Sequence, residues 1–466
     1  MTTHNTEMAL AEIFENEVRD FRARTARSYE LCRAAIDDAR MPLGVPTNVG
    51  QLWPYPITMC SGSGSYLVDI DGNNYIDWGA GYGALPFGHC HPAIISAIEK
   101  QASKGTHFGS LTEPVISWAE HLVHRFNLDW VRFSASGTEA TLDAIRAARA
   151  YTGRPVIAKC EGAYHGSHLE VLNSINQPLN SMSGPDNAPQ PVAADESVPC
   201  RVTEQDVRIV PFNDLAATEA SLADRQVAAL IVEPIMFNVG FIWPLSGYLK
   251  GLRDLCDATG TLLIFDEVKT GGTVAWGGAE ELFGVVPHLK CFAKTVAGGL
   301  PGGCFGGTDS TLLDIIESRR MMHVGTLSGN PLTAAAGHAA LTHVLTPDAY
   351  EHLDTLNTRM RTGMTHIIES HHLAAYVTGV GAKGCLVWAD PQAGQLRDFR
   401  DYWTRFDRPI ADLAFLHFLR EGHWLAPGHD EQYTLMISHT AEDIDLFLEA
   451  FDHLADKLVS HQLAGC

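Results

Sequence analysis

The chain reads as an α/β protein, with a large domain whose mostly parallel sheet is flanked by helices and a smaller α+β domain built from both chain ends. Three observations carry this expectation. Between about residues 90 and 340, short apolar runs alternate with helical segments, the rhythm of strand–helix–strand units. A β-hairpin signal precedes that region, and a change of composition follows it after about residue 345. The length of 466 residues also exceeds one ordinary hydrophobic core. The expected division is an N-terminal helical segment at 1–40, the first part of the small domain at 41–90, the large domain at 91–345 and the rest of the small domain at 346–466.

Residues 7–40 are highly charged with helical spacing, which predicts one or two amphipathic helices. In SGSYLVDIDGNNYIDWGAGYG the Asp71-Gly72-Asn73 turn joins two alternating segments and predicts a hairpin. Strands are expected at Trp130–Ser134, Val156–Cys160, 228–233, 261–266, 291–293 and Gly303–Gly307. The stretch 176–201 is rich in Pro, Asn, Ser and Gly and has no periodicity, so it is expected to form a mobile lid. A helix at 349–371, strands at 384–388 and 434–437, and a last helix at 441–461 complete the small domain.

Hydrophobic content of 45% with 19% charged residues fits a soluble globular chain. The excess of 55 acidic over 33 basic side chains, a formal charge of −22, argues against nonspecific nucleic-acid binding and against anionic membranes. The ten cysteines form no CxxC pair and several lie in apolar runs, as reduced cysteines of a cytoplasmic protein do. The polar N-terminus has no signal-like apolar core, and no stretch approaches ~18 apolar residues, so no membrane span is expected.

Lys294, in CFAKTVAGGLPGG, and Asp266, in LLIFDEVKTG, each end an apolar run that reads as a buried strand. Open α/β sheets place ligands at such strand ends. An amine and a carboxylate there suit pyridoxal 5'-phosphate (PLP): the lysine would hold the coenzyme as a Schiff base and the aspartate would keep its ring nitrogen protonated. A structural salt bridge explains the pair equally well. In VRFSASGTEATLDAIRAARA a strand ends and Ser136-Gly137-Thr138 opens a helix, whose free N–H groups would cradle a phosphate or serve as an ordinary N-cap. Tyr164 in EGAYHG is placed to stack on the ring or to serve as a core tyrosine at a strand end, and Asn238 in VEPIMFN could donate to the ring's phenolic oxygen, while Glu233 supports the turn.

SASGTEA, EGAYHG, VEPIMFN, FDEVKTG, FAKTVAGGLPGG and HVGTLSGNP occur in this order at compatible separations. Together they resemble the class III PLP-dependent aminotransferases, most of all the glutamate-1-semialdehyde 2,1-aminomutase subfamily, over roughly residues 40–455. The resemblance implies a PLP-dependent transferase of fold type I, a homodimer with a shared active site and a Schiff-base ping-pong mechanism between an amino donor and a carbonyl acceptor. It implies that Lys294 and Asp266 are catalytic and that Ser136, Gly137, Thr138, Tyr164 and Asn238 bind PLP. It further implies that Thr326 reaches the phosphate of the partner subunit, and that Tyr82 and Glu431 face substrate.

One part of the aminomutase pattern is missing. The subfamily holds its substrate carboxylate with an arginine shortly before the hairpin, whereas MPLGVPTNVGQLWPYPITMC has neither arginine nor lysine, and Gly50 stands about where that arginine would fall. A charge-assisted contact worth ~1.5–3 kcal/mol is absent from this segment. Lys383 is a substitute anchor or a surface lysine. The expected activity is therefore an aminotransferase acting on a substrate without that carboxylate handle; the aminomutase reaction, a racemase or epimerase, and a PLP-binding regulator are the alternatives. The one GxGxxG, 379–384, precedes a strand instead of following one, which excludes a dinucleotide fingerprint. His89, Cys90 and His91 lack the partner cluster of a metal site, and no GxSxG elbow occurs.

Overall fold

The computed structural model describes residues 2–175, 177–198, 205–426 and 431–463. The chain divides into two compact units, a larger one formed by Pro92–Tyr350 and Gln395–Arg405, and a smaller one formed by Met1–His91, Glu351–Gly394 and Phe406–Cys466. Gln395–Arg405 thus packs with the large unit, although the residues on either side of it in sequence belong to the small one.

The small unit opens with helices Thr2–Arg24 and Ala26–Asp37. The first packs on helix Arg408–Arg420, where buried Glu17 pairs with Lys457 (2.7 Å) and Arg420 (3.2 Å). Strands β1 (Met59–Ser63), β2 (Tyr66–Asp69) and β3 (Asn74–Asp77) follow. The hairpin expected at 71–73 joins β2 to β3, with Tyr66 opposite Ile76. Asp69 Oδ1 accepts the backbone N–H groups of Asp71 (3.0 Å) and Asn73 (2.8 Å), and Gly72 takes the left-handed φ of +90° that the turn requires.

The large unit holds β4 (Trp130–Ser134), β5 (Val156–Cys160), β6 (Val207–Val210), β7 (Val227–Val232), β8 (Leu262–Asp266), β9 (Leu289–Ala293) and β10 (Gly303–Gly307). They form one sheet in the order β4-β10-β9-β8-β7-β5-β6, with β10 antiparallel to both its neighbours and all other pairs parallel. Strands β5, β7, β8 and β9 are buried along their whole length, as strands covered on both faces must be. One face packs against the alanine-rich helix Gly137–Thr152, whose Ala140, Ala144, Ala147 and Ala148 allow close approach to Ile157, Ile231 and Ile264.

The small unit is completed by β11 (Tyr376–Val380), β12 (Lys383–Val387), β13 (His423–Trp424) and β14 (Glu431–Thr434). β13 joins β1–β3, and β11-β12-β14 form a separate three-stranded sheet. The strand expected at 434–437 lies three residues earlier. Beyond Thr434 the backbone leaves the ladder, with Leu435 N donating to Ala382 O (2.7 Å) and Ile437 N to Pro86 O (2.8 Å). Among the described residues, no helix is long and apolar enough to cross a membrane.

Candidate active site at the carboxyl edge of the large sheet

Because β5, β7, β8 and β9 run parallel, the residues that follow them emerge along one edge. Asp266 ends β8 and pairs in register with Cys291 of β9, three residues before Lys294. β10 enters that same edge through Gly303, which lies opposite both Ser134 and Ala293. A Cβ at Gly303 would stand 2.6 Å from Ser136 O and 2.9 Å from Phe292 O, so the absence of a side chain leaves room for the backbone that opens the helix after β4.

Lys294 follows β9 directly and has a φ of 53°, a left-handed conformation costing a lysine ~1–3 kcal/mol. Its side chain is half-buried. Burial first, and the nearby positive charge of Lys269 second, hold its amine down to about 7, against the opposing pull of Asp266 and Glu233. A lysine in this state is a neutral nucleophile and base at mildly alkaline pH.

Asp266 is 5% exposed. Its Oδ1 accepts Val268 N (3.0 Å), and its Oδ2 lies 2.8 Å from Nδ1 of fully buried His165. A carboxylate bonded by two donors is held in one orientation.

Ser136 N-caps helix Gly137–Thr152, its side chain accepting Glu139 N (3.2 Å). A Cβ at Gly137 would come within 3.1 Å of Val268 and 3.3 Å of Ala293 Cβ, so the helix start lies against the residues bracketing Asp266 and Lys294. Thr138 Oγ1 accepts Ser167 N (3.3 Å). At Gly166 the φ is +106°, and a Cβ would stand 2.8 Å from Thr138 Cα. The loop after β5 is thus pressed onto the helix N-terminus, with the dipole and free N–H groups of a long helix at its centre.

Tyr164 is 41% exposed, and burial together with Asp266 raises its hydroxyl above the usual tyrosine range. Glu233, just past β7, fixes three groups: its Oε1 accepts Tyr164 N (3.0 Å), and its Oε2 accepts Phe237 N (3.2 Å) and Asn238 Nδ2 (2.8 Å). The expectation that Glu233 supports the turn understates it, since it also sets Tyr164 and orients the Asn238 amide.

The large unit therefore brings together Lys294, Asp266, Ser136, Gly137, Thr138, Tyr164 and Asn238. His165, Gly166 and Lys269 belong to the same cluster and were not singled out from the sequence. His165 and Gly166 sit inside EGAYHG, but nothing in spacing links His165 to a carboxylate 101 residues away. The chemistry of this donor set fits PLP: a neutral amine, a fixed buried carboxylate, a helix N-terminus for a dianionic phosphate and a partly exposed aromatic face.

The remaining expected residues lie elsewhere. Thr326 is exposed, in the connection before helix Pro331–Ala339. Tyr82 belongs to the small unit, in a short left-handed turn with φ 57°, and burial raises its hydroxyl. Glu431 begins β14 opposite Leu386, and its side chain lies outside the described residues. Lys383 is not a surface lysine: it is 6% exposed, donates to Thr434 Oγ1 (2.8 Å), and its Nζ would be 1.9 Å from a Cβ at Gly83. It is enclosed because Gly83 leaves room for it. The segment expected as a lid is described except at 176 and 199–201; its Gly184 O (2.9 Å), Ser183 O (3.2 Å) and Asp186 (2.8 Å) all receive hydrogen bonds from Arg400, which also pairs with buried Glu161 (2.8 Å). Among the described residues, no group of three or more His, Cys, Asp or Glu could hold a metal ion.

Comparison with known proteins points to the same coenzyme. The family model described as "Aminotransferase class-III" matches residues 49–454. The chain is 37% identical over 398 residues to a glutamate-1-semialdehyde 2,1-aminomutase of Desulforudis audaxviator, covering 85% of this chain and 89% of that one. Among solved structures it is similar to a glutamate-1-semialdehyde aminomutase of Pseudomonas aeruginosa (TM-score 0.88, 28% identity, 97% of this chain and 99% of that chain), also solved as a variant in complex with PMP. It is likewise similar to an omega-transaminase of Sphaerobacter thermophilus (TM-score 0.84, 30% identity, 92% and 97% coverage).

Proposed function

The chain belongs to the class III aminotransferases, a PLP-dependent family, and from that premise we propose that it moves an amino group between an amino donor and a carbonyl acceptor, on a substrate that lacks an arginine-bound carboxylate. When bound, PLP supplies an aldehyde that takes up amines and a cationic ring that withdraws electrons from the carbon next to the captured nitrogen.

The observation that carries the reading is the state of Lys294 beside Asp266. Lys294 Nζ, held down to about 7, is the group that would attach the coenzyme and, once released, take a proton from the substrate carbon and return it. Asp266, bonded by His165 and the Val268 N–H, would keep a proton on the ring nitrogen. Ser136, Gly137 and Thr138 would bind the phosphate at the helix N-terminus, Tyr164 would cover the ring, and Asn238, turned by Glu233, would donate to the phenolic oxygen. The exposed position of Thr326 supports a reading in which it serves the active site of a second copy in a homodimer. Tyr82 and Glu431 remain the proposed substrate contacts.

The narrowing of substrate rests on 41–60, which has no cationic side chain, and on Lys383, whose ammonium is enclosed against Thr434. The aminomutase reading draws support from the relatives that bear that name. Supplying glutamate 1-semialdehyde to the purified enzyme separates the two. Slow or no formation of 5-aminolevulinate, with conversion of the coenzyme to its amine form by other donors, is expected; rapid conversion would establish the aminomutase and refute the narrowing.

A further inference from the structure

Lys159 stands five residues before Tyr164, in β5, a strand buried along its whole length, and is itself fully buried. A charge in such a place is costly unless it is bonded there, and a methionine of similar length would pack without that cost. The bonds that hold it are specific. Lys159 Nζ donates to Asn173 O (2.7 Å) and, over a longer reach, to Ser174 O (3.4 Å). Both carbonyls belong to the far end of the loop that leaves β5 and carries Tyr164, His165 and Gly166. Ser174 is buried with a φ of 46°, a left-handed conformation that serine seldom adopts. The same Ser174 O accepts Gly162 N (2.7 Å). Gly162 opens the loop, so its first amide and the Lys159 ammonium converge on the residues that close it.

Other contacts gather at this base. Arg400 Nε donates to Glu161 (2.8 Å), and a Cβ at Gly162 would stand 2.5 Å from the Phe399 ring. Ser174 N donates to Val192 O (2.7 Å) and Ser174 Oγ accepts Val192 N (3.1 Å), which ties the polar stretch to the same residue. Nearer the tip, Glu233 accepts Tyr164 N (3.0 Å) and Thr141 Oγ1 donates to His165 O (2.6 Å).

We propose that Lys159 is a positioning residue for the coenzyme: its ammonium closes the base of the loop after β5 and so fixes where Tyr164 and His165 stand. The inference rests on the reading of Tyr164 as the residue that covers the ring. Glu233 and Thr141 grip the loop only through single backbone atoms of residues 164 and 165. Without Lys159, the carbonyls of Asn173 and Ser174 lose a charge-assisted donor in the protein interior, and the base relaxes. A loop in the competent position roughly a tenth of the time binds coenzyme about tenfold more weakly.

The test is coenzyme affinity by equilibrium titration, together with the circular dichroism of the coenzyme band, for the native protein, Lys159→Met, Lys159→Arg, Ser174→Pro, Ser174→Ala and Tyr164→Ala. Lys159→Met should weaken binding roughly 10–100-fold and at least halve the band's dichroism at temperatures where the protein stays folded. A purely structural role would lower the melting temperature and leave both readings unchanged in the folded protein. Lys159→Arg, which restores a cationic donor, should bind within about threefold of the native protein. Ser174→Pro cannot hold a φ of 46° and also restricts residue 173, so it displaces the two carbonyls from the loop side and should match Lys159→Met. Ser174→Ala keeps the carbonyls and should stay within about twofold of the native protein. A folded Lys159→Met with native affinity and dichroism overturns the inference, as does an arginine variant no better than the methionine one. If Lys159→Met does not fold, native behaviour of Ser174→Pro overturns it instead. In those cases a defective Tyr164→Ala leaves the reading of Tyr164 standing; a Tyr164→Ala with native affinity and dichroism sinks that reading and the inference together.

Discussion

Lys294→Met removes an amine and keeps most of the side-chain volume, so it isolates what the fold expends on holding Lys294 uncharged. In the coenzyme-free protein the amine is held down to about 7, while in the unfolded chain it sits at the ordinary 10.5. Above the folded value and below the unfolded one, the unfolded state binds one more proton. Native stability must therefore climb with pH between about 7 and 10.5, and stay flat with respect to this group outside that window. The full difference corresponds to ~5 kcal/mol and a slope of ~1.4 kcal/mol per pH unit. Lys294 keeps partial contact with solvent, so the realised slope is about half to all of that. Urea denaturation of the coenzyme-free native protein and of Lys294→Met at pH 7.5, 8.5 and 9.5 gives the comparison, and all other titrating groups cancel in the difference. The methionine variant should be the more stable at pH 7.5, and its advantage should shrink by roughly 1.5–2.7 kcal/mol by pH 9.5. A gap that does not change with pH would show that Lys294 is not held neutral by the fold.

Asp266→Asn should fold and retain coenzyme yet lose activity by ~10²-fold or more, read as kcat in a donor–acceptor assay, because an amide cannot keep the ring nitrogen cationic. Gly166→Ala forces a side chain into a +106° backbone and against Thr138 Cα, so it should weaken coenzyme affinity at least ~10-fold in an equilibrium titration. Arg400→Gln should release the hydrogen-bonded stretch 183–186 and raise its rate of proteolytic cleavage several-fold, since three of the contacts holding it come from that guanidinium.

The parts of the site legible in the sequence are those that end strands. Lys294 and Asp266 stand out because apolar runs stop at them, and in the structure each follows or closes a strand buried along its whole length. Ser136-Gly137-Thr138 was legible for a similar reason, as a strand end running into an alanine-rich helix. Residues whose role depends on a contact across the sequence were not. His165 is an unremarked turn residue until folding sets it 2.8 Å from Asp266, and Lys269 is equally unmarked until its Nζ comes 3.4 Å from Phe237 O. Four-residue β6 escaped because it follows the long polar stretch and is too short for a periodic signal. Gln395–Arg405 could not be assigned to the large unit from sequence, because it is joined there by long-range contacts such as the pairing of Arg400 with Glu161, 239 residues earlier.

The proposed chemistry depends on where the coenzyme is attached. Reduction of the holoenzyme with borohydride, digestion and mass spectrometry would locate the trapped group. A single adduct on the peptide containing Lys294, absent from Lys294→Ala, is expected; an adduct on Lys159, Lys269 or Lys290 in its place, or none at all, would contradict the assignment of Lys294.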